Sequence, residues 1–150
     1  MRPFLRSVFG NPSSVHAEGR AARVAVETAR WDVSHLIGAR PDEIIFTNGV
    51  TEAINIATRG VLAASGDKQH VVTIATEHPA TLRTLSASSH HPQPLLRQEG
   101  SRSVTIVPVA PDGSIDVAAV IAAIRPDTAL VSVMYANNEI GTIAPVAEIG

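Results

Sequence analysis

Short β-branched apolar runs alternate along this 150-residue chain with segments of helical spacing, and that alternation restricts the fold more than anything else in it. The runs 44–47, 71–75, 104–109 and 128–135 read as strands. Helical segments are expected from the Ser13-Ser14 region to Ile37, from Thr51 to about Ala64, from Pro79 to Ser86 and from Asp116 to Ile124. Strands separated by helices of this length cannot pair as tight hairpins; they pair in parallel through right-handed crossovers. The expected class is therefore α/β, a mostly parallel sheet flanked by helices. No strand precedes the first helix, and the run Val146-Ala147-Glu148-Ile149 after Pro145 looks like a helix just beginning. Residues 1–150 accordingly read as a single partial domain cut at both ends, with an exposed sheet edge and uncovered helix faces.

In the first helix, Ala22, Val26, Ala29, Val33, Leu36 and Ile37 recur in steps of about three and four, which predicts one buried face. A serine of the Asn11-Pro12-Ser13-Ser14 loop is the expected N-cap, with Gly38 and Pro41 as the stop. The segment 88–101, with its His90-His91 pair and two prolines, reads as a solvated loop.

Composition removes several classes of function. The formal charge is −2 and no basic block occurs, so a nucleic-acid partner is not expected. No apolar run approaches the roughly 20 residues needed to cross a bilayer. The opening Met1-Arg2-Pro3-Phe4-Leu5-Arg6 is too short and too polar for a secretory signal. With no cysteine there are neither disulfides nor thiolate metal sites, and a cytoplasmic setting is the default. His16, His35, His70, His90 and His91 show no metal-ligand spacing.

Three polar clusters follow apolar runs. In Ile45-Phe46-Thr47-Asn48-Gly49-Val50-Thr51-Glu52, a strand-like stretch turns through glycine into a helix, which directs main-chain N–H groups and the Thr51 hydroxyl toward a potential anion. It is not a P-loop, since no Gly-Lys-Ser/Thr follows, and Thr51 could equally be a plain helix cap. In Thr76-Glu77-His78-Pro79, His78 could stack on a planar ligand and move protons near neutral pH, or simply cap the next helix. Asn137-Asn138-Glu139 places two adjacent amides after a strand, where unpaired amides would be costly. One amide is expected to pin the bend, and Asn138 to face a ligand. Arg20 and Arg23 read as surface charges rather than anion ligands.

Taken together, Phe9-Gly10-Asn11-Pro12-Ser13-Ser14-Val15-His16, Ile45 to Glu52, Thr76-Glu77-His78, Leu130-Val131-Ser132-Val133-Met134 and Ala136-Asn137-Asn138-Glu139-Ile140-Gly141 resemble the cysteine desulfurases of the class V aminotransferase group, and selenocysteine lyases as well. The likeness covers nearly the whole chain. It implies a fold type I, pyridoxal 5′-phosphate-dependent domain in which the Val50 N–H and the Thr51 hydroxyl hold the cofactor phosphate. His78 would stack on the pyridine ring and assist proton transfer, and Asn138 would hydrogen-bond the phenolic oxygen. The activity implied is conversion of L-cysteine to alanine, with the sulfur passed through a cysteine persulfide to an acceptor protein in iron–sulfur cluster assembly. A homodimer is the implied state.

Ala53 departs from the serine common after this Thr-Glu pair. The Schiff-base lysine of the family finds no counterpart, because the single lysine, Lys68, lies in the Ser65-Gly66-Asp67-Lys68-Gln69 loop. There is also no cysteine to carry sulfur. The isolated chain is therefore expected to be an inactive fragment of a desulfurase. The alternatives are a non-catalytic pseudoenzyme that binds a ligand or partner, or another class V aminotransferase or selenocysteine lyase.

Overall fold

The computed structural model describes residues 2–7, 9–86 and 103–150; the expected loop at 88–101, with His90-His91, lies outside the described residues. The chain divides into two units, Met1–Phe46 and Thr47–Gly150.

The first unit is built on α1 (Ala17–Ile37). Its N-cap is His16 rather than a serine, with Nδ1 accepting from the Gly19 N–H at 3.2 Å. The Asn11 side chain instead accepts from the Ser13 N–H at 2.9 Å, so the Asn-Pro-Ser-Ser stretch closes on itself as a turn. Arg20 and Arg23 are exposed, as expected of surface charges, and also donate to the carbonyls of Val15 and Pro12, clamping that turn. Gly38 ends the helix at φ 69°, a left-handed geometry suited to glycine, and the Ala39 N–H bonds back to the Ser34 carbonyl at 2.8 Å.

Two further expectations fail here. The apolar face of α1 is not buried: Ala22 is, but Leu36 is 84% and Ile37 64% exposed. Periodicity dictates an amphipathic helix but not what covers it. The strand expected over 44–47 is absent as well. Ile44 is extended (φ −95°, ψ 122°), yet no described strand pairs with it, and its carbonyl accepts from the Arg30 guanidinium, which also lies 5.1 Å from the centre of the Phe46 ring. Extended backbone without a ladder partner is not a strand.

The second unit is the α/β body. Its order is α2 (Val50–Ala64), β1 (His70–Ile74), α3 (Pro79–Ser86), β2 (Ser103–Val107), α4 (Val117–Ala122), β3 (Thr128–Ser132) and α5 (Val146–Ile149). The three strands form one parallel sheet in the order β2-β1-β3, as expected. Strand alternation sorts the core into two layers. Val72, Ile74 and Val107 pack with Val120 of α4 and Ile149 of α5, while Val71 packs with Leu62 of α2 and Leu85 of α3. Helices thus cover both faces, and β1 is buried throughout.

The chain leaves β1 toward β2 on one side, then crosses to place β3 on the other. The connection after β1 leads to α3 on one face, and that after β3 leads to α5 on the opposite face. Loops that diverge in this way leave a crevice between the carboxyl ends of β1 and β3, the position where open α/β sheets bind ligands. Strand order, then, rather than any single residue, places the site.

Candidate functional site

A cleft of about 270 Å³ occupies that crevice, near the roughly 300 Å³ at which small-molecule sites begin. Its walls are the loop after β1, including Glu77 and His78, and the loop after β3, including Asn138 and Ile140.

His78 is held by its own backbone. Its carbonyl accepts from the Thr81 and Leu82 N–H groups, and its Nδ1 accepts from the Ala80 N–H at 3.1 Å. Pro79 at the first helical position loses nothing by lacking an N–H. His78 therefore caps α3 and lines the cleft at once, so the two roles considered from sequence do not exclude each other. The cap makes Nδ1 an acceptor, which assigns the neutral ring its proton on Nε2.

The two asparagines stand in different surroundings. Asn137 pins the bend: its Oδ1 accepts from the Glu139 N–H at 2.8 Å and the Ile140 N–H at 3.0 Å, and its Nδ2 donates to the Thr76 carbonyl at 3.0 Å. Asn138 is exposed in the cleft wall.

Val50 and Thr51 are not part of that lining; they stand exposed at the start of α2. The Glu52 carboxylate turns back to accept from the Asn48 N–H at 2.7 Å, and Gly49 provides no side-chain cap. The first-turn N–H groups at Val50 and Thr51 consequently have no partner within the helix. A Cβ at Gly49 would meet no atom within 4 Å, so the space beside this turn is open. The structure brings His78 and Asn138 together and leaves Val50 and Thr51 as a separate set of donors.

Two features escaped sequence reasoning. Glu77 lines the cleft, and its Oε2 is buried without a hydrogen-bond partner among the described residues. Its place beside His78 was the only available signal. At the opposite end of β1, His70 is 0% exposed, with Nδ1 2.7 Å from Thr128 Oγ1 and Nε2 2.8 Å from Thr105 Oγ1. Thr128 Oγ1 also accepts from the Arg125 N–H at 2.8 Å, which ties the ring to the turn before β3. Burial, followed by the nearby Arg125 charge, pushes the His70 pKa down, with Asp127 opposing. Asp127 in turn is held below the usual carboxylate range, chiefly by its hydrogen bond from Arg125. Among the described residues no three His, Asp or Glu side chains converge as a metal site, and no helix is long and apolar enough to cross a membrane.

The comparisons with known proteins point the same way. The family model described as Aminotransferase class-V matches residues 1–150. The chain is 45% identical to the cysteine desulfurase IscS of Dictyoglomus turgidum, over 99% of this chain and 36% of that protein. Among solved structures, a NifS-like protein superposes with a TM-score of 0.84 at 35% identity, covering 99% of this chain and 38% of the other. A second, SspA in complex with cysteine, superposes with a TM-score of 0.79 at 31% identity, covering 99% and 40%. The chain therefore spans little more than a third of the length of these relatives. With the family model matched along its whole length and this fold beneath it, the chain belongs to the aminotransferase class-V family.

Proposed function

We propose that this chain is the cofactor-binding portion of a pyridoxal-phosphate-dependent cysteine desulfurase. The observation that carries the reading is the convergence of His78 and Asn138 from two diverging loops on one cleft, in a member of a family of pyridoxal-phosphate enzymes. The donor set suits that ligand. Val50 N–H and Thr51 Oγ1 are free for a phosphate, Asn138 offers an amide to a phenolic oxygen, and the His78 imidazole offers a flat surface to a ring. When bound, pyridoxal phosphate supplies an electron sink for carbanion chemistry. The chain's own residues do the rest. Thr51 and the α2 dipole hold the negative charge, Asn138 orients the ring, and His78 holds or moves a proton at Nε2, its Nδ1 being committed to Ala80.

L-cysteine is the substrate that fits this reading, supported by the named activity of the Dictyoglomus relative and by the cysteine held by SspA. In the whole protein we assign alanine as product, a sulfur-acceptor protein as partner, a homodimer as the working state and the cytoplasm as the setting. The isolated 150-residue chain binds the cofactor without turning over, since it contains no cysteine and its one lysine lies in the loop before β1.

Titrating the purified chain with pyridoxal 5′-phosphate, followed by the change in cofactor absorbance, tests the reading. Saturable binding weakened by Thr51→Ala and by His78→Ala is expected. Binding indifferent to both substitutions would sink it, and alanine released from cysteine above a heat-killed control would refute the predicted inactivity.

A further inference from the structure

We propose that Asn137 is a positioning residue that sets the distance and orientation between His78 and Asn138; the role rests on the cofactor reading above. His78 and Asn138 belong to loops that diverge to opposite faces of the sheet, beyond Thr73 and Ser132, the last paired residues of β1 and β3. The Asn137 side chain ties them. Asn137 Nδ2 donates at 3.0 Å to the Thr76 carbonyl, two residues before His78 and 61 residues away in sequence. Its Oδ1 accepts from the Glu139 and Ile140 N–H groups at 2.8 and 3.0 Å, which folds the chain sharply just after Asn138.

The backbone around it is anchored as well. The Asn137 N–H bonds to the Thr142 carbonyl at 2.8 Å, the Asn137 carbonyl accepts from Gly141 at 3.0 Å, and Ala136 forms an isolated bridge with Ile143. The amide is thus attached to a rigid base, with its two halves facing different loops. No other residue type of this length supplies a donor on one arm and a double acceptor on the other. Aspartate keeps the acceptor and loses the donor, setting a carboxylate oxygen against the Thr76 carbonyl. That asymmetry makes the role separable: the bend at 139–140 survives, while the His78 loop is released.

The Asn137→Asp chain is compared with wild type by amide hydrogen exchange and by titration with two probes, pyridoxal 5′-phosphate and inorganic phosphate. The Glu139 and Ile140 amides should stay protected. The Ala80 amide, which reports the His78 ring through its bond to Nδ1, should exchange about tenfold faster. The Kd for pyridoxal phosphate should rise about tenfold, whereas the Kd for inorganic phosphate, which relies on Val50 and Thr51, should not change.

Unchanged Ala80 protection together with unchanged pyridoxal phosphate affinity overturns the proposal. So does equal weakening of both ligands with loss of protection throughout β1, which would mean that Asn137 only supports the fold. A wild-type chain that ignores pyridoxal phosphate overturns the cofactor reading. The ligand-free exchange data then decide separately whether Asn137 tethers the loops.

Discussion

Two histidines bracket the same central strand, and the contrast between them shows what seals a side chain or leaves it open to a ligand in this fold. His70 opens β1 and is sealed between hydroxyls of both neighbouring strands, with each ring nitrogen satisfied. His78 follows β1 by four residues, spends one nitrogen on the cap of α3, and keeps its ring at the edge of a cleft. Both are imidazoles and both form precise hydrogen bonds. They differ in which end of a parallel sheet they occupy. At the amino end the chain closes over His70, whereas at the carboxyl end the loops part and leave His78 facing open space.

The largest effect that could break this contrast is on stability. His70→Ala leaves a cavity and removes the ring partner of the Thr105 hydroxyl, and should cost about 3 kcal/mol in urea denaturation. A cost below that of His78→Ala would mean that the buried network is not structural. Next comes Gly113→Ala. Gly113 sits at φ 80°, and a Cβ there would lie 2.4 Å from Ile140 Cδ1 in the cleft wall. The left-handed backbone alone should cost about 1–2 kcal/mol, read as a lowered Tm.

His78→Ala should cost only the cap, about 1 kcal/mol, while removing most of the affinity for pyridoxal phosphate. Asn138→Ala separates binding from stability further. Its side chain is exposed, so stability should move by less than about 0.5 kcal/mol, while pyridoxal phosphate binding should weaken about tenfold, the equivalent of one charge-assisted hydrogen bond.

The smallest effect is on pH dependence. The folded His70 pKa lies below its ordinary value of 6.5, so the unfolded chain takes up a proton more readily than the folded one. The His70 contribution is complete above about pH 6.5 and declines as the pH falls toward the lower folded value. Denaturation midpoints of the wild type and of His70→Ala, compared between pH 7.5 and 5.5 on that basis, should converge toward the acid end. A constant gap would show that the ring is not held neutral.

Legibility followed locality. The α/β class, the cap at Asp116 (its Oδ1 accepts from the Ala119 N–H at 3.1 Å) and the turn at Asp112-Gly113 all follow from patterns a few residues apart. The strand expected at 44–47 failed for the opposite reason. Its apolar, β-branched character was correct, but a strand is a property of two segments, and no described partner pairs with it. The apolar stripe of α1 failed in the same way, because the pattern names the face and not its cover. His70 looked like any other histidine because its partners, Thr105 and Thr128, lie 35 and 58 residues away.

The sequence by itself determined the α/β class and the parallel pairing it requires, and it marked polar groups after apolar runs: the helix start at Val50-Thr51, the imidazole at His78 and the amides at Asn137-Asn138. Only the tertiary structure decided that His78 and Asn138 line one cleft while Val50 and Thr51 stand apart from its lining. Strand order β2-β1-β3 sends two loops to opposite faces and opens the cleft between them, and the Asn137–Thr76 bond spans it. Local sequence sets backbone preferences through steric and hydrogen-bonding effects within a few residues. Which strand end stands beside which depends on burying two apolar faces at once, and that is settled by the whole chain.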